Sequence, residues 1–210
     1  MENQRKNIIF TTLLIEKSPQ ALPLGAACCA SAVKHDSLTK DICNVSLTAF
    51  CKEDSDFQKH CKNDDEAAVF IAQELLKQNP EIIAFSVYVW NRIILEKAAK
   101  ILHSQNIFTI AGGPEITAHP EVFTVFDRVI TGEGENKVPA AIYELITGEK
   151  APAVPSHTNL DVLSSPYLDG TLDPAEYEGA LWELARGCPF KCSYCYESKG
   201  EKSVRLFPME

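Results

Sequence analysis

The chain contains 210 residues, with a formal net charge of −9 and a pI near 5.1. This acidic balance argues against nucleic acid as a partner, because phosphate binding requires a basic face. The hydrophobic share of 45% is typical of a globular protein. No apolar run is long enough to span a membrane, and the run that ends at Glu16 favours a first buried strand over a signal peptide.

Short apolar runs alternate with helical patterns through the first 150 residues. The runs predict strands at 8–12, 42–47, 82–87, 107–111 and 128–131. The helical patterns predict helices at 24–34, 64–77, 91–104, 121–126 and 137–147, whereas 49–63 is predicted to be loop or one exposed turn. This alternation favours an α/β fold with a doubly wound, parallel, five-stranded sheet of the flavodoxin-like type.

Loops with glycine, hydroxyl or charged residues follow three of the predicted strands. The candidate ligand-contacting residues in these loops are Ser86, Tyr88, Gly112, Gly113, Gly132 and Glu133. Ligands of doubly wound folds bind at the carboxyl ends of strands, so we expect these loops to converge on one pocket. Each residue also has a simpler interpretation, as a strand cap, a core aromatic residue, a tight turn or a charge at a helix N-terminus.

The remainder of the chain is predicted to contain a linker and the start of a second domain. Residues 151–177 are rich in proline and lack periodicity, which is typical of a linker. Residues 178–185 are predicted to form a strand that leads into a cysteine-containing loop. The predicted units are therefore 1–150, 151–177 and 178–210.

The cysteines near the end of the chain are spaced as C-x3-C-x2-C, at Cys188, Cys192 and Cys195. Three thiolates can hold an iron–sulfur cluster and leave one iron open for a small molecule, beside which Tyr194 would place its ring. A zinc knuckle is the alternative, but structural zinc requires four ligands and no cysteine or histidine follows Cys195. The other five cysteines are predicted to be core or loop thiols in a reducing cytoplasm: Cys28, Cys29, Cys43, Cys51 and Cys61.

This spacing, with an aromatic residue before the last cysteine, resembles that of the radical S-adenosylmethionine (radical SAM) enzymes. The resemblance implies that the three cysteines hold a four-iron, four-sulfur cluster. It also implies that the open iron chelates the amino and carboxylate groups of S-adenosylmethionine.

The first 150 residues resemble the cobalamin-binding domain that precedes the core of cobalamin-dependent radical SAM enzymes. The resemblance rests on Ser86, on Gly112 with Gly113, and on the Gly-Glu-Gly-Glu sequence at 132–135. It implies that Ser86 and the two glycines line the slot for the cobalamin nucleotide tail. The Asp-x-His-x-x-Gly motif of other cobalamin domains is missing after the first strand, so we expect cobalamin to bind without a protein histidine on cobalt.

The resemblance implies that the full-length protein is an enzyme. The reduced cluster would cleave S-adenosylmethionine, the resulting radical would abstract hydrogen from an unactivated carbon, and methylcobalamin would supply a methyl group to a small-molecule or unknown substrate. Electrons would come from an external donor such as flavodoxin or ferredoxin. No catalytic side chain is assigned.

We expect the chain to be a fragment that is inactive alone, because few residues follow Cys188 and a barrel requires roughly 200 residues. One alternative is a non-catalytic binding module, a degenerate cobalamin-like domain that docks a partner or another ligand such as flavin. A response-regulator-like domain is disfavoured, because Thr11 and Thr12 stand where that class has acidic residues.

Overall fold

The computed structural model describes residues 5–190, 192–195 and 203–208. Its central sheet is formed by five parallel strands, β1 Lys6–Leu14, β2 Cys43–Cys51, β3 Ile82–Ser86, β4 Phe108–Gly112 and β5 Arg128–Val129. The strands are ordered β2-β1-β3-β4-β5. This order is consistent with a flavodoxin-like fold, in which the direction of winding reverses between β1 and β3.

Six α-helices occur in the described part of the chain. They are α1 Leu24–His35, α2 Ser55–His60, α3 Asp64–Leu76, α4 Arg92–His103, α5 Pro114–Ala118 and α6 Lys137–Thr147. Short 3-10 helices span Pro120–Val122, Leu160–Val162 and Pro174–Glu176. No helix among the described residues combines the length and the apolar character needed to cross a membrane.

The sheet is buried on both faces because its central strands are apolar at successive positions. Neighbouring side chains of a strand point to opposite faces. Ile9 therefore packs into the core cluster that contains the buried residues of α3 and α4. Ile8 packs into the cluster that contains the buried residues of α1 and α6. The strands thus hold two helical layers together.

Two sequence predictions for segments between the strands were wrong. Residues 55–60 form α2, because the ring of Phe57 is buried against Phe70 with the ring centroids 5.7 Å apart. The predicted helix at 121–126 is absent from the structure. The chain instead forms α5 and a 3-10 turn that begins at Pro120, while Phe123 and Phe126 are buried from a loop. Their three-residue spacing reflected burial of the loop and not a helical face.

The predicted strand at 178–185 was also largely wrong. Only Ala185–Arg186 (β6) is extended and paired there, antiparallel to Arg205–Leu206 (β7). The described residues form this short pair and no further strand of a second domain. The start of a radical SAM barrel is therefore not confirmed.

The region predicted as a linker packs against the domain. Leu172 is fully buried with Leu22 and Ala27 at the beginning of α1. Asp169 accepts a hydrogen bond from the Ser31 hydroxyl (2.6 Å), and its carboxylate also lies 3.1 Å from His35 Nε2. Burial alone would raise the pKa of Asp169, but the bonds from Ser31 and Thr171 lower it below its ordinary value. The segment is thereby fastened along α1.

A glycine substitution tests the close packing at the end of β4. Gly113 has φ = 108°, and a Cβ atom there would lie 2.6 Å from the Val87 carbonyl oxygen. Gly148 has a positive φ of 73° but no heavy atom within 4 Å of such a Cβ. We expect Gly113→Ala to lower the free energy of unfolding by about 3 kcal/mol and Gly148→Ala by about 1 kcal/mol, measured by urea denaturation. Equal losses would show that Val87 does not constrain Gly113.

Candidate functional site

The carboxyl ends of β1, β3 and β4 meet at one edge of the sheet. Ser86 is the last residue of β3 and lies directly beside Gly112, the last residue of β4. The edge is also where winding reverses between β1 and β3, the position at which doubly wound folds bind ligands. The structure thus brings the predicted residues Ser86, Gly112 and Gly113 together.

The buried side chain of Asn91 ties these strand ends together. Its amide nitrogen donates to the Thr12 hydroxyl (3.1 Å) and to the carbonyl oxygens of Leu13 (3.2 Å) and Ser86 (3.3 Å). Its amide oxygen accepts a hydrogen bond from the Tyr88 N–H at 2.8 Å. The Thr12 hydroxyl in turn donates to the Ser86 carbonyl. Asn91 therefore connects β1, β3 and the loop between β3 and α4.

Tyr88 and Trp90 form a stacked aromatic pair at this edge. Their ring centroids are 4.6 Å apart and the rings are nearly parallel, at 10°. The Trp90 N–H donates to the Leu13 carbonyl at 3.3 Å, and 43% of the residue remains exposed. The Tyr88 hydroxyl lies near Gly25, in the first turn of α1. The stack presents a flat aromatic surface beside the strand ends.

Glycine is sterically required at position 113 but not at position 112. Gly113 is required by the protein itself, because a Cβ atom would collide with the backbone of Val87. A Cβ atom at Gly112 would make only an ordinary contact, 3.6 Å from the Ile130 carbonyl oxygen. A side chain at position 112 would therefore pack against Ile130, and no steric conflict among the described residues explains the glycine there.

The loop after β5 binds other parts of the chain. The Glu133 carboxylate accepts hydrogen bonds from the Thr158 N–H (2.7 Å) and from the Arg205 guanidinium. Burial alone would raise the pKa of Glu133, but these bonds lower it below its ordinary value. Glu135 is buried and accepts from Arg186 Nη2 at 2.6 Å. Gly132, also predicted to contact ligand, occupies a left-handed turn with φ = 72°.

A cavity of about 280 Å³ lies between α1 and the segment that precedes the cysteine loop. Its lining includes Gly25 and Cys28 from α1, Glu135, and Trp182 and Arg186. Because α1 follows β1, this cavity opens at the carboxyl edge of the sheet. A second cavity of about 400 Å³ lies beside the end of β2. None of the predicted ligand-contacting residues lines either cavity, and Ser86, Gly112 and Gly113 are each partly exposed.

The three predicted cluster ligands lie in a loop in which Cys188, Cys192 and Cys195 are each half-buried. The Cys195 N–H donates to the Cys192 carbonyl at 3.1 Å, and Tyr194 is 91% exposed. Within the described ranges, no three cysteine, histidine or acidic side chains are arranged as ligands of one metal ion. Three closely spaced thiols still provide the donor chemistry that an iron–sulfur cluster requires.

The cysteines outside this loop are shielded from ionisation, and the structure records no disulfide at any of the eight cysteines. Burial raises the pKa of Cys28 to about 12, with a further contribution from Glu135. Burial raises the pKa of Cys43 to about 11 and that of Cys29 well above its ordinary value. These thiols are therefore protonated at neutral pH and are poor metal ligands or nucleophiles.

Sequence reasoning missed the roles of Asn91, Glu135 and Arg186. Asn91 stood only at the beginning of a predicted helix, although an amide between a strand end and a helix is a possible tie between backbone groups. Arg186 was only the first residue of the cysteine motif. The three-residue spacing of Arg186 from Glu183 in sequence does not reveal its partner Glu135, which is 51 residues away.

No protein-family model matches the sequence. The chain is 32% identical, over 62% of its length, to the cobalamin-dependent radical SAM methyltransferase TokK of Streptomyces tokunonensis. It is 29% identical, over 63% of its length, to the 2-(S-pantetheinyl)-carbapenam-3-carboxylate methyltransferase of Streptantibioticus cattleyicolor. An uncharacterised methyltransferase of Pyrococcus horikoshii is 26% identical over 84% of the chain.

The chain spans 24% of the length of each of the first two relatives and 40% of the third. The three relatives are therefore much longer than this chain of 210 residues. All three relatives are named as methyltransferases, and TokK is named as a cobalamin-dependent radical SAM enzyme.

Replacement of Asn91 tests its role as the tie between strand ends. We expect Asn91→Ala to lower the free energy of unfolding by about 3 kcal/mol, because several buried backbone groups lose their partner. Gln73→Ala, which removes an exposed amide from α3, is the matched control and should change stability by less than about 0.5 kcal/mol. Urea denaturation measures both. A loss below 1 kcal/mol for Asn91→Ala would contradict the proposed tie.

Alkylation tests the shielding of the α1 and β2 thiols. At pH 8, iodoacetamide should modify Cys28 and Cys43 at least about 100-fold more slowly in the folded chain than in urea, because the thiolate fraction falls as the pKa rises. Their rates should still increase between pH 9 and 10. Peptide mass spectrometry follows each cysteine separately, with the urea-unfolded chain as the control. Similar rates in both states would contradict the burial of these thiols.

Proposed function

We propose that this chain supplies the cobalamin-binding domain and the cluster-binding loop of a cobalamin-dependent radical SAM methyltransferase. The observation that carries the proposal is that the ends of β3 and β4, at Ser86 and Gly112, lie side by side next to the point where winding reverses between β1 and β3. The two relatives that are 29–32% identical support it, because their names describe a methyltransferase and, for TokK, a cobalamin-dependent radical SAM enzyme.

The edge has the chemistry expected for a large, flat and partly apolar ligand. Val89 is 73% exposed and Trp90 43% exposed next to the Tyr88 ring, so apolar surface is available for a macrocycle. Gly112 would allow the ligand to approach the backbone, and the Ser86 hydroxyl can bond to a ring nitrogen. Gly113 and Gly132 shape the turns beside it. Of the cobalamin contacts predicted from the sequence, Glu133 fits least well, since its carboxylate is already bonded within the protein.

Cobalamin would bind here without a histidine from the segment between β1 and α1, because residues 14–23 contain none. The hydroxyls of Thr11 and Thr12 donate to the carbonyls of Thr48 and Ser86. These two side chains therefore stabilise neighbouring strands. The protein would contribute shape and apolar contact to the cofactor at this edge.

Cys188, Cys192 and Cys195 would hold the four-iron, four-sulfur cluster as thiolates, with Tyr194 beside the open iron. When bound, the cluster, S-adenosylmethionine and cobalamin together would supply the radical and the methyl group for transfer to an unactivated carbon. The chain's own residues would bind and orient these groups and exclude water from them. The substrate would be a small molecule, and a protein such as flavodoxin or ferredoxin would supply electrons.

We do not propose that the 210 residues alone catalyse the whole reaction, because they span 24% of the length of the two methyltransferases named above. The second candidate is a binding module that takes flavin at the same edge. The parallel Tyr88–Trp90 stack favours this alternative, since the outer face of the stack could pack against a planar ring, and related strand orders bind FMN at this position.

Titration with separate cofactors distinguishes these two functions. We expect hydroxocobalamin to change its visible spectrum on binding to the chain and FMN fluorescence to remain unchanged. Gly112→Val should weaken cobalamin binding at least about tenfold, because a branched side chain would fill the strand edge, with Ala180→Val at an exposed position outside the sheet domain as the control. Circular dichroism checks the fold of both. FMN binding without a cobalamin response would favour the alternative, and no response to either would refute both.

The cluster is tested in the same preparation under anaerobic conditions. Reconstitution with iron and sulfide should give an absorption band in the visible region and about four irons per chain. Alanine at Cys188, Cys192 and Cys195 together should abolish iron uptake, whereas alanine at Cys28 and Cys43 should not. Iron retained without the three loop thiols would contradict the assignment of the ligands.

A further inference from the structure

The segment that carries the three loop cysteines is closed at its base by two arginines. In the antiparallel pair of β6 and β7, Arg186 lies opposite Arg205, and Ala185 lies opposite Leu206. The chain between the two arginines contains Cys188, Cys192 and Cys195. We name the described residues of this segment, 185–190, 192–195 and 203–206, the cysteine hairpin.

Two like charges opposite each other in a strand pair repel, so this base requires compensation. The compensation comes from the single loop that follows β5. Arg186 binds Glu135 at 2.6 Å, and Arg205 binds Glu133. Arg205 also donates to the Thr158 carbonyl at 2.8 Å, and Glu183 adds a second carboxylate to Arg186 at 3.0 Å. Both strands of the hairpin base are thereby held by the same Gly-Glu-Gly-Glu sequence.

Burial makes these pairs more consequential than surface ion pairs. Only 12% of the Arg186 side chain and 6% of the Glu135 side chain are exposed. Removal of one member of such a pair leaves a buried charge without its partner, which is strongly unfavourable. Burial alone would lower the pKa of Arg186, but its bonds to Glu183 and Glu135 raise it above the ordinary value. The guanidinium also lies over the Phe207 ring, 5.5 Å from its centroid.

The loop after β5 is itself fixed to the sheet domain. A Cβ atom at Gly134 would lie 2.7 Å from the Cys29 sulfur, so this loop packs directly on α1. The two glutamates therefore project from a well-packed loop at the carboxyl edge of the sheet. The hairpin base is held next to that edge and beside the cavity lined by Gly25 and Cys28.

We propose that Glu133 and Glu135 are positioning residues that clasp the base of the cysteine hairpin to the sheet domain. The clasp orients the cluster-binding loop toward the cobalamin-binding edge, and this consequence rests on the proposed function. The clasp itself does not require a cofactor. It assigns the Gly-Glu-Gly-Glu sequence to contact within the chain, in place of the ligand contact that its similarity to cobalamin domains implied.

Hydrogen–deuterium exchange on the cofactor-free chain tests the clasp directly. Glu133→Gln and Glu135→Gln preserve side-chain shape and remove one charge each. We expect amides in 183–188 and 205–208 to exchange about tenfold faster in both variants, while β1 and β3 are unchanged. Glu115→Gln is the matched control, because it weakens the comparable Arg92–Glu115 pair away from the hairpin and should leave hairpin exchange unaltered. Unchanged hairpin exchange in both glutamine variants would overturn the proposal.

A charge-swap variant distinguishes loss of the ion pair from general misfolding. Glu133→Arg combined with Arg205→Glu reverses one pair and should restore slow exchange relative to Glu133→Arg alone. Failure of this restoration, with a native circular dichroism spectrum, would also overturn the proposal.

Cobalamin titration of the same variants separates the clasp from the proposed function. If Glu133 contacted cobalamin instead, Glu133→Gln would weaken cobalamin binding and leave hairpin exchange unchanged. The clasp predicts the opposite pattern, in which cobalamin affinity changes less than about twofold and hairpin exchange accelerates. A chain that fails to bind cobalamin at all would refute the proposed function, whereas the exchange result would still decide the clasp.

Discussion

The buried amide of Asn91 is the contact on which the candidate site depends. Where the winding reverses between β1 and β3, the strand ends separate and their backbone groups lose ladder partners. Buried carbonyl and amide groups must nevertheless be satisfied. Asn91 meets this requirement at Leu13, Ser86 and Tyr88 at once. The loop that carries the Tyr88–Trp90 stack is consequently fixed to the ends of β1 and β3.

The two helical layers contribute differently to this opening. The layer of α3 and α4 is packed with large apolar side chains and chiefly stabilises the sheet. The α1 helix is built from small residues, and its outer surface accepts the segment after the domain through Ser31 and Asp169. The chain leaves α6 at the opposite edge of the sheet from the strand ends. The contacts of the following segment with α1 return it to the carboxyl edge. Small side chains in α1, such as Gly25 and Cys28, also leave room for the cavity that they line.

Electrostatic contacts replace hydrophobic burial where the chain continues into the cysteine hairpin. A pair of two-residue strands is too short to be stable alone. Large side chains near it, such as Trp182 and Leu206, are mostly exposed, so apolar burial contributes little there. The four charges of Arg186, Arg205, Glu133 and Glu135 supply the specific contacts instead. The position of the cysteines relative to the sheet thus depends on directional ion pairs and not on a core.

The sequence by itself determined the α/β class and the five strands, whereas the cluster-binding role of the three loop thiols stays a prediction from their spacing. Local apolar runs and local cysteine spacing carry this information, and the 2-1-3-4-5 order agrees with the flavodoxin-like prediction. It misassigned 55–60 and 121–126, because the rings of Phe57, Phe126 and Phe123 pack against residues 13–41 positions away, namely Phe70, Phe85 and Arg92. Only the tertiary structure decided that Asn91 joins two strands and that Glu133 and Glu135 meet arginines 51–72 residues away. Such contacts form when the folded chain brings remote residues together, and no local pattern encodes them.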